Sequence, residues 1–242
     1  FISMVLYADA AYPVNQNLET IHEKQIEQLS EPGTWGTGAQ RLAIAASVRQ
    51  ASYKSGLQEQ PEDGEVKVEA NLPTAALEIV EKLTVSPKDF LENAYDDAKE
   101  QGISDEEYVE IVGIVSRLTC MDVFARGLGI PLRPLPKAKQ GQPSRQRPAT
   151  AKKEMAWVPT IPNFPEGGED AKALYGENFK TYIVRGLSLI PDEVRMHLEL
   201  EEAQYLPMGK IFVPDYQHHE GFTRAQCEVV AGRVSAINEC FF

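Results

Sequence analysis

The sequence predicts an all-α fold, and three observations carry that prediction. Apolar residues recur every three or four positions in one segment after another. Helix start signals, above all the capping box Ser104-Asp105-Glu106-Glu107, stand directly ahead of such segments. Strand signals are almost absent from the first half of the chain. With 242 residues, of which 43% are hydrophobic, the chain can bury one large or two modest cores. A formal net charge of -12 weighs against nucleic acid and anionic membrane surfaces as partners, because both are polyanions. No apolar run reaches the roughly eighteen residues of a membrane span. Cys120, Cys227 and Cys240 are too few for a secreted disulfide framework and fit a reducing, cytoplasmic setting. Phe1 to Ala11 lack the basic start of a signal peptide.

The first helix is expected over Asn15 to Leu29, where Leu18, Ile21, Ile26 and Leu29 keep the rhythm until Glu31-Pro32-Gly33 ends it. A second runs from Thr37 to Ser55, with Ala43, Ala46, Val48 and Ala51 among its buried residues. Gln58 to Gly64 is acidic and turn-like. Leu72 to Leu83 is helical again, with Leu72, Ala76, Ile79, Val80 and Leu83 on one side. Ser86-Pro87-Lys88-Asp89 supplies an N-cap serine and a proline whose missing N–H costs nothing at a helix start. The helix opened by Ser104 is long, reaching Gly127 or Gly129, with Val109, Val112, Ser116, Thr119, Val123 and Leu128 near one face.

Residues 136–156 then change the composition. Lys137, Lys139, Arg145, Arg147, Lys152 and Lys153 stand against the single acid Glu154, with Gln, Pro and Gly between them, too little apolar surface for self-ordering. The stretch reads as a basic flexible linker or extended arm between a first unit, 1–135, and a second, 157–242. Within the second, helix is expected over Gly176 to Leu189, through Phe179, Tyr182, Ile183 and Leu187. Another starts at Pro191-Asp192-Glu193 and runs through Val194, Leu198, Ala203 and Leu206. After a loop at Val213 to Phe222, the last helix begins at Thr223, where Val230, Val234, Ile237 and Phe241 recur at intervals of four, three and four.

The two units look related. Laying Thr37 to Lys54 on Thr223 to Cys240 pairs Thr37 with Thr223, Ala39 with Ala225, Gln40 with Gln226, Ala45 with Ala231 and Val48 with Val234. Leu42 then stands where the second copy has Glu228, and Lys54 where it has Cys240.

The stretch TRAQCEVVAGRVSAINEC, Thr223 to Cys240, resembles the active-site segment of the AhpD-like alkylhydroperoxidases of the carboxymuconolactone decarboxylase superfamily. There a Glu is followed, after eleven intervening residues, by a Cys-x-x-Cys pair. Glu228 and Cys240 stand at that spacing; the second cysteine of the motif would follow Phe242 directly, and its His four residues further on. Ser104 to Pro136 also resembles the closing helix of an AhpD-like repeat. The resemblance implies two AhpD-like helical units, the first without the catalytic cysteine and the second cut short at the motif. It implies a thiol-dependent peroxidase in which Glu228 accepts the thiol proton and Cys240 belongs to the redox pair. The substrate would be a hydroperoxide and the reductant a dithiol or lipoyl-type partner, in a homo-oligomer, with no metal, haem or flavin cofactor. On one straight helix Glu228 and Cys240 would lie roughly 18 Å apart at about 1.5 Å per residue, so the mechanism requires a break, expected at Asn238. The alternative reading is a catalytically silent helical module that serves packing and oligomerisation.

Other chemistry-bearing residues have plainer readings. Cys120 and Cys227 are expected in the core or at its boundary, and His22 and His197, alone on their helices, at the surface. Asp215, His218, His219 and Glu220 form a local cluster with weak metal-ligand spacing. No Gly-rich phosphate loop or nucleophile elbow occurs.

Overall fold

The computed structural model describes residues 6–61 and 70–240, and within them every regular element is helical. The part of the acidic turn expected beyond Pro61, to Gly64, and the final apolar position Phe241 lie outside the described residues. The first helix, α1, spans Gln16–Gln28, with the Asn15 carbonyl oxygen of its side chain accepting from the backbone N–H groups of Asn17 and Leu18. The second, α2, spans Gly38–Lys54 behind a full capping box between Thr37 and Gln40. Thr74–Val85 forms α3 and Glu92–Glu100 forms α4, with a single 3-10 turn at Pro87–Asp89 between them. The start signal at Ser86 therefore opens one turn, and the helix proper begins five residues beyond that turn's first residue. Asp105–Gly127 forms the long α5, and its Ser104/Glu107 capping box forms as expected.

Helix α2 is the axis of the molecule. Burial reaches all round it, from Arg41 and Leu42 through Ser52, because α3 and α5 pack on its flanks. Its small residues Ala43, Ala45 and Ala46 let those helices approach closely. Ile44 and Val48 join Ile79 and Val80 of α3 and Ile114 and Leu118 of α5 in one apolar core. The start of α2 is tighter still. A Cβ on Gly38 would lie 2.1 Å from the Ser30 carbonyl oxygen and 2.9 Å from that of Lys139, both backbone atoms that cannot swing aside. Gly38→Ala is therefore expected to cost about 1–3 kcal/mol by overpacking, read as a lowered urea midpoint; an unchanged midpoint would refute the close approach.

After α5 the chain runs without helix until Gly168. Residues 136–156 follow the turn between α1 and α2: the Lys139 N–H donates to Ser30 O at 2.9 Å and the Arg145 N–H to Thr34 O at 2.8 Å. The Arg145 guanidinium lies 5.1 Å from the Trp35 ring centre, and Arg147 pairs with the buried Glu106. A segment with too little apolar surface to order itself is here held extended by partners on the body. Lys152 and Thr160 then exchange two backbone hydrogen bonds in an isolated bridge.

The helix expected over Gly176 to Leu189 is reduced to α7, Tyr182–Arg185, preceded by α6 at Gly168–Tyr175, which the sequence reading missed. Phe179 and Ile183, taken as apolar-face residues, are exposed; only Leu187 packs on the core. Helix α8, Pro191–Gln204, lies against α1 and α5, and its Leu200, with Val158, Leu189 and Ile190, completes the same core that α2 organises. A 3-10 turn, Met208–Lys210, leads to α9, Arg224–Ile237. Thr223 and Gln226 close a capping box of the same kind as Thr37 and Gln40.

From that shared start the two helices diverge. The α2 residues Ile44, Val48 and Ala51 are 6%, 1% and 8% exposed; their α9 counterparts Val230, Val234 and Ile237 are 59%, 51% and 60% exposed. No residue of α9 is buried. Arg224, Cys227, Ala231 and Ser235 turn a partly covered side toward the body, while the apolar stripe beside them faces solvent.

Candidate functional site

Helix α9 carries the two residues singled out by the sequence. It stops at Ile237, with Asn238 as its cap, Glu239 at φ 52 and the Cys240 N–H donating back to Ser235 O at 3.0 Å. This left-handed exit is a helix-terminating turn, and it places Cys240 outside the helix at the point where the sequence expects a break. Cys240 is exposed. Glu228 is turned toward Tyr205, whose hydroxyl donates to Oε1 at 2.7 Å, and Arg224 one turn earlier also donates to Oε1. The Tyr205 hydrogen bond and then Arg224 hold the Glu228 carboxyl below its ordinary range, so it is an anion at neutral pH. No hydrogen bond joins Glu228 to Cys240 among the described residues; the anchoring contact at the far end of α9 is Lys88 to Glu239, at 2.5 Å.

The other sequence candidates fall elsewhere. Cys120, expected in the core or at its boundary, is exposed, with its Sγ 2.7 Å from Gln204 Oε1; Cys227 is half-buried. The His218 and His219 rings stand 4.5 Å apart, and His219 Nε2 lies 3.1 Å from Gln204 O. Among the described residues no group of three His, Cys, Asp or Glu side chains could hold a metal ion.

The two lone histidines correct the surface expectation. His197 is half-buried, and His22 is wholly buried, its ring edge-on to Tyr7 and Phe124. Burial keeps the Tyr7 phenol protonated, and its hydroxyl oxygen lies 2.6 Å from His22 Nδ1, a hydrogen bond between the two. Burial also pushes the His22 pKa down to about 4. Since the unfolded chain binds that proton from about pH 6.5 downward, the His22 contribution to stability is present above that value. It is lost as pH falls toward 4, a change of about 3 kcal/mol. Between these limits His22→Leu is expected to show a pH slope of unfolding free energy shallower by about one proton. Equal slopes would mean that His22 is not buried neutral.

Among the described residues the densest polar arrangement lies in the core. Arg41 of α2, Glu110 and Arg117 of α5 and Glu193 of α8 form a buried chain of charges, none more than 2% exposed. Arg41 Nη1 pairs with Glu110 Oε1 and lies 3.2 Å from Glu193 Oε1, while Arg117 Nη2 reaches Glu193 Oε2 at 2.8 Å and its Nη1 reaches Gln25 Oε1 at 2.8 Å. Glu110 Oε2 accepts the backbone N–H groups of Trp35 at 3.0 Å and Gly36 at 2.7 Å, which ties the α1–α2 turn to α5. Burial raises the Glu110 carboxyl, and Arg41 beside it pulls the other way. Two cations and two anions leave the group neutral overall, which is how such burial is tolerated.

Glycines make room for it. A Cβ on Gly33 would fall 1.8 Å from Glu110 Oε1, and one on Gly113 2.1 Å from Glu193 Oε2. The sequence held a signal for this arrangement: Glu106, Glu110, Gly113 and Arg117 recur at intervals of four, three and four along a helix otherwise rich in apolar residues. That stripe, together with Ile111, Ile114, Leu118 and Met121, is what α5 buries, and Val123, assigned to its inner face, is exposed.

Beside the charges an open cleft of about 430 Å³ lies between α1 and α8, with Arg41 and Glu193 on its inner side. Neither Glu228 nor Cys240 lines it. Among the described residues no helix is long and apolar enough to cross a membrane. In comparisons with protein-family models, curated proteins and solved structures, nothing matches the chain.

Proposed function

We propose that the chain is an AhpD-like thiol-dependent alkylhydroperoxidase module, with its redox centre at the end of α9 and a first unit that serves as scaffold. The observation that carries this reading is the exit after Asn238 through the left-handed Glu239, which frees Cys240 from the helix at the family spacing from Glu228. In the proposed cycle the Cys240 thiol gives its proton to the ionised Glu228 through a relay of waters, because the helix from Glu228 to Ile237, about 14 Å at 1.5 Å per residue, lies between the acid and the exit that carries the thiol. The thiolate attacks the terminal oxygen of a hydroperoxide, the O–O bond breaks, and an alcohol leaves with a proton. Cysteine sulfenic acid remains. A thiol of an external dithiol condenses with it, releasing water, and the second thiol of that reductant displaces the mixed disulfide to regenerate Cys240.

The test is consumption of cumene hydroperoxide with dithiothreitol as reductant. Cys240→Ser is expected to abolish turnover and Glu228→Gln to slow it by about two orders of magnitude, the usual scale of a lost proton acceptor. A chain that consumes no hydroperoxide above the uncatalysed rate would sink the peroxidase reading. A second reading, a catalytically silent assembly module of the same fold, is favoured by the solvent-facing stripe Val230, Val234 and Ile237. It predicts no turnover in any variant.

A further inference from the structure

Residues 139–147 cross the α1–α2 turn on polar contacts. On either side of them the chain is fastened by apolar packing against the main core, through Leu135 and Ala138 before the segment and Ala151 and Trp157 after it. Within the segment only Pro143 is half-buried, and every other residue is exposed.

The N–H groups of Lys139, Ser144 and Arg145 donate to Ser30 O, Gly33 O and Thr34 O at 2.9, 3.3 and 2.8 Å. Lys139 Nζ lies 2.6 Å from Glu27 Oε1 and 3.0 Å from Glu31 Oε1, with all three side chains about half exposed. The Arg145 guanidinium rests over the Trp35 ring, and Arg147, its side chain 46% exposed, reaches the buried carboxylate of Glu106. Arg145 also holds a φ of 54, a left-handed conformation that a residue with a Cβ keeps only where its surroundings over-determine it. The hydrogen bond to Thr34 and the Trp35 ring hold it there, and lifting the segment relieves the strain.

Charge seats this segment, and charge screening can unseat it. Its cations meet acids of a chain whose formal net charge is -12. Ion pairs this exposed weaken with salt, as the screening length falls from about 30 Å at 0.01 M to about 3 Å at 1 M. With little apolar burial behind them, the opening of such a segment lies at the low end of the stability range. The turn beneath has a second role, because Glu31, Pro32, Gly33 and Thr34 also line the cleft between α1 and α8.

We propose that residues 139–147 form an ionic strap that lifts from the α1–α2 turn as ionic strength rises, while both of its ends stay docked. Seated, the strap braces one wall of the cleft. Lifted, it leaves that wall to the hold of Glu110 on the Trp35 and Gly36 N–H groups.

Trypsin tests this on the full chain, because cleavage after Lys139 and Arg145 requires the strap to leave the body, while Pro148 protects the bond after Arg147. Brief digestions at about 10 mM and about 1 M KCl are read by mass spectrometry. A free peptide of residues 136–150 in the same tube corrects for the salt response of the protease. The ratio of chain to peptide cleavage is expected to rise about tenfold at the higher salt, as several part-exposed pairs weaken together. Arg147→Gln and Glu106→Gln remove one pair from its exposed and its buried side. Each is expected to raise the ratio about threefold at low salt and to flatten its rise. Cleavage after Arg117, which is buried in the core, reports global unfolding and is expected to stay undetected. A ratio equal at the two salts overturns the proposal, as does a ratio unchanged in both variants or a chain cut as fast as the free peptide at low salt. Strap cleavage that rises only together with cleavage after Arg117 also overturns it, since the segment would then open with the whole fold.

Discussion

Glu193→Ala is expected to lower the unfolding free energy by about 3–5 kcal/mol, the cost of breaking a buried ion pair from one side. Arg117, with no exposure, would keep only Gln25 and lose its charge partner, and Arg41 would keep Glu110 alone. The buried pair need not be a large net gain in the intact protein; the loss comes from the guanidinium left without an anion. Gly113→Ala acts on the same contact by another route, because its Cβ would sit 2.1 Å from Glu193 Oε2 and 2.7 Å from its Cδ. Urea unfolding followed by circular dichroism measures both. A loss under about 1 kcal/mol for Glu193→Ala would show that water reaches Arg117 and that the network is not closed.

Val48→Lys and Val234→Lys are expected to differ more than any other pair of equivalent substitutions. The two positions match in the internal alignment and follow the same kind of capping box. Val48, at 1% exposure, sits where α3 and α5 close on α2, and an ammonium there has no water and no anion assigned to it. A loss above about 4 kcal/mol is expected, most of the margin of a protein at the low end of ordinary stability. Val234 is 51% exposed, and its lysine should change stability by no more than about 0.5 kcal/mol. A large loss at Val234 would mean that its stripe is covered in solution, and the silent-assembly reading would gain from it.

The elements that could be read from the sequence are those whose causes are local. The Asn15 cap, the Ser104/Glu107 box and the Pro32-Gly33 stop lie within a few residues of the helix ends they set, and α1 and α5 form there; α3, expected over Leu72 to Leu83 from apolar spacing alone, has no side-chain cap and forms over Thr74–Val85 instead. The helix break at Asn238 belongs with them. Where local signals were weak, the outcome shifted. Gly176 to Leu189 keeps one short helix, and the exposed Phe179 and Ile183 show that its apolar spacing had no surface to pack against.

What the sequence by itself determined was an all-helical chain, the ends of its main helices, and the separation of Glu228 and Cys240 by a helix and its exit. Tertiary structure decided which faces those helices bury. Glu110 meets Arg41 across 69 residues, and Arg41 meets Glu193 across 152. A charged side chain on a helix belongs in water unless an opposite charge is brought to it; the spacing along α5 marks the stripe that is buried, but not which distant charge will meet it. The same holds for α2 and α9: with one capping signal and one apolar rhythm, the first is enclosed by α3 and α5 and the second is open to solvent. Burial is a property of what packs against a helix, and that is settled only when the chain is folded.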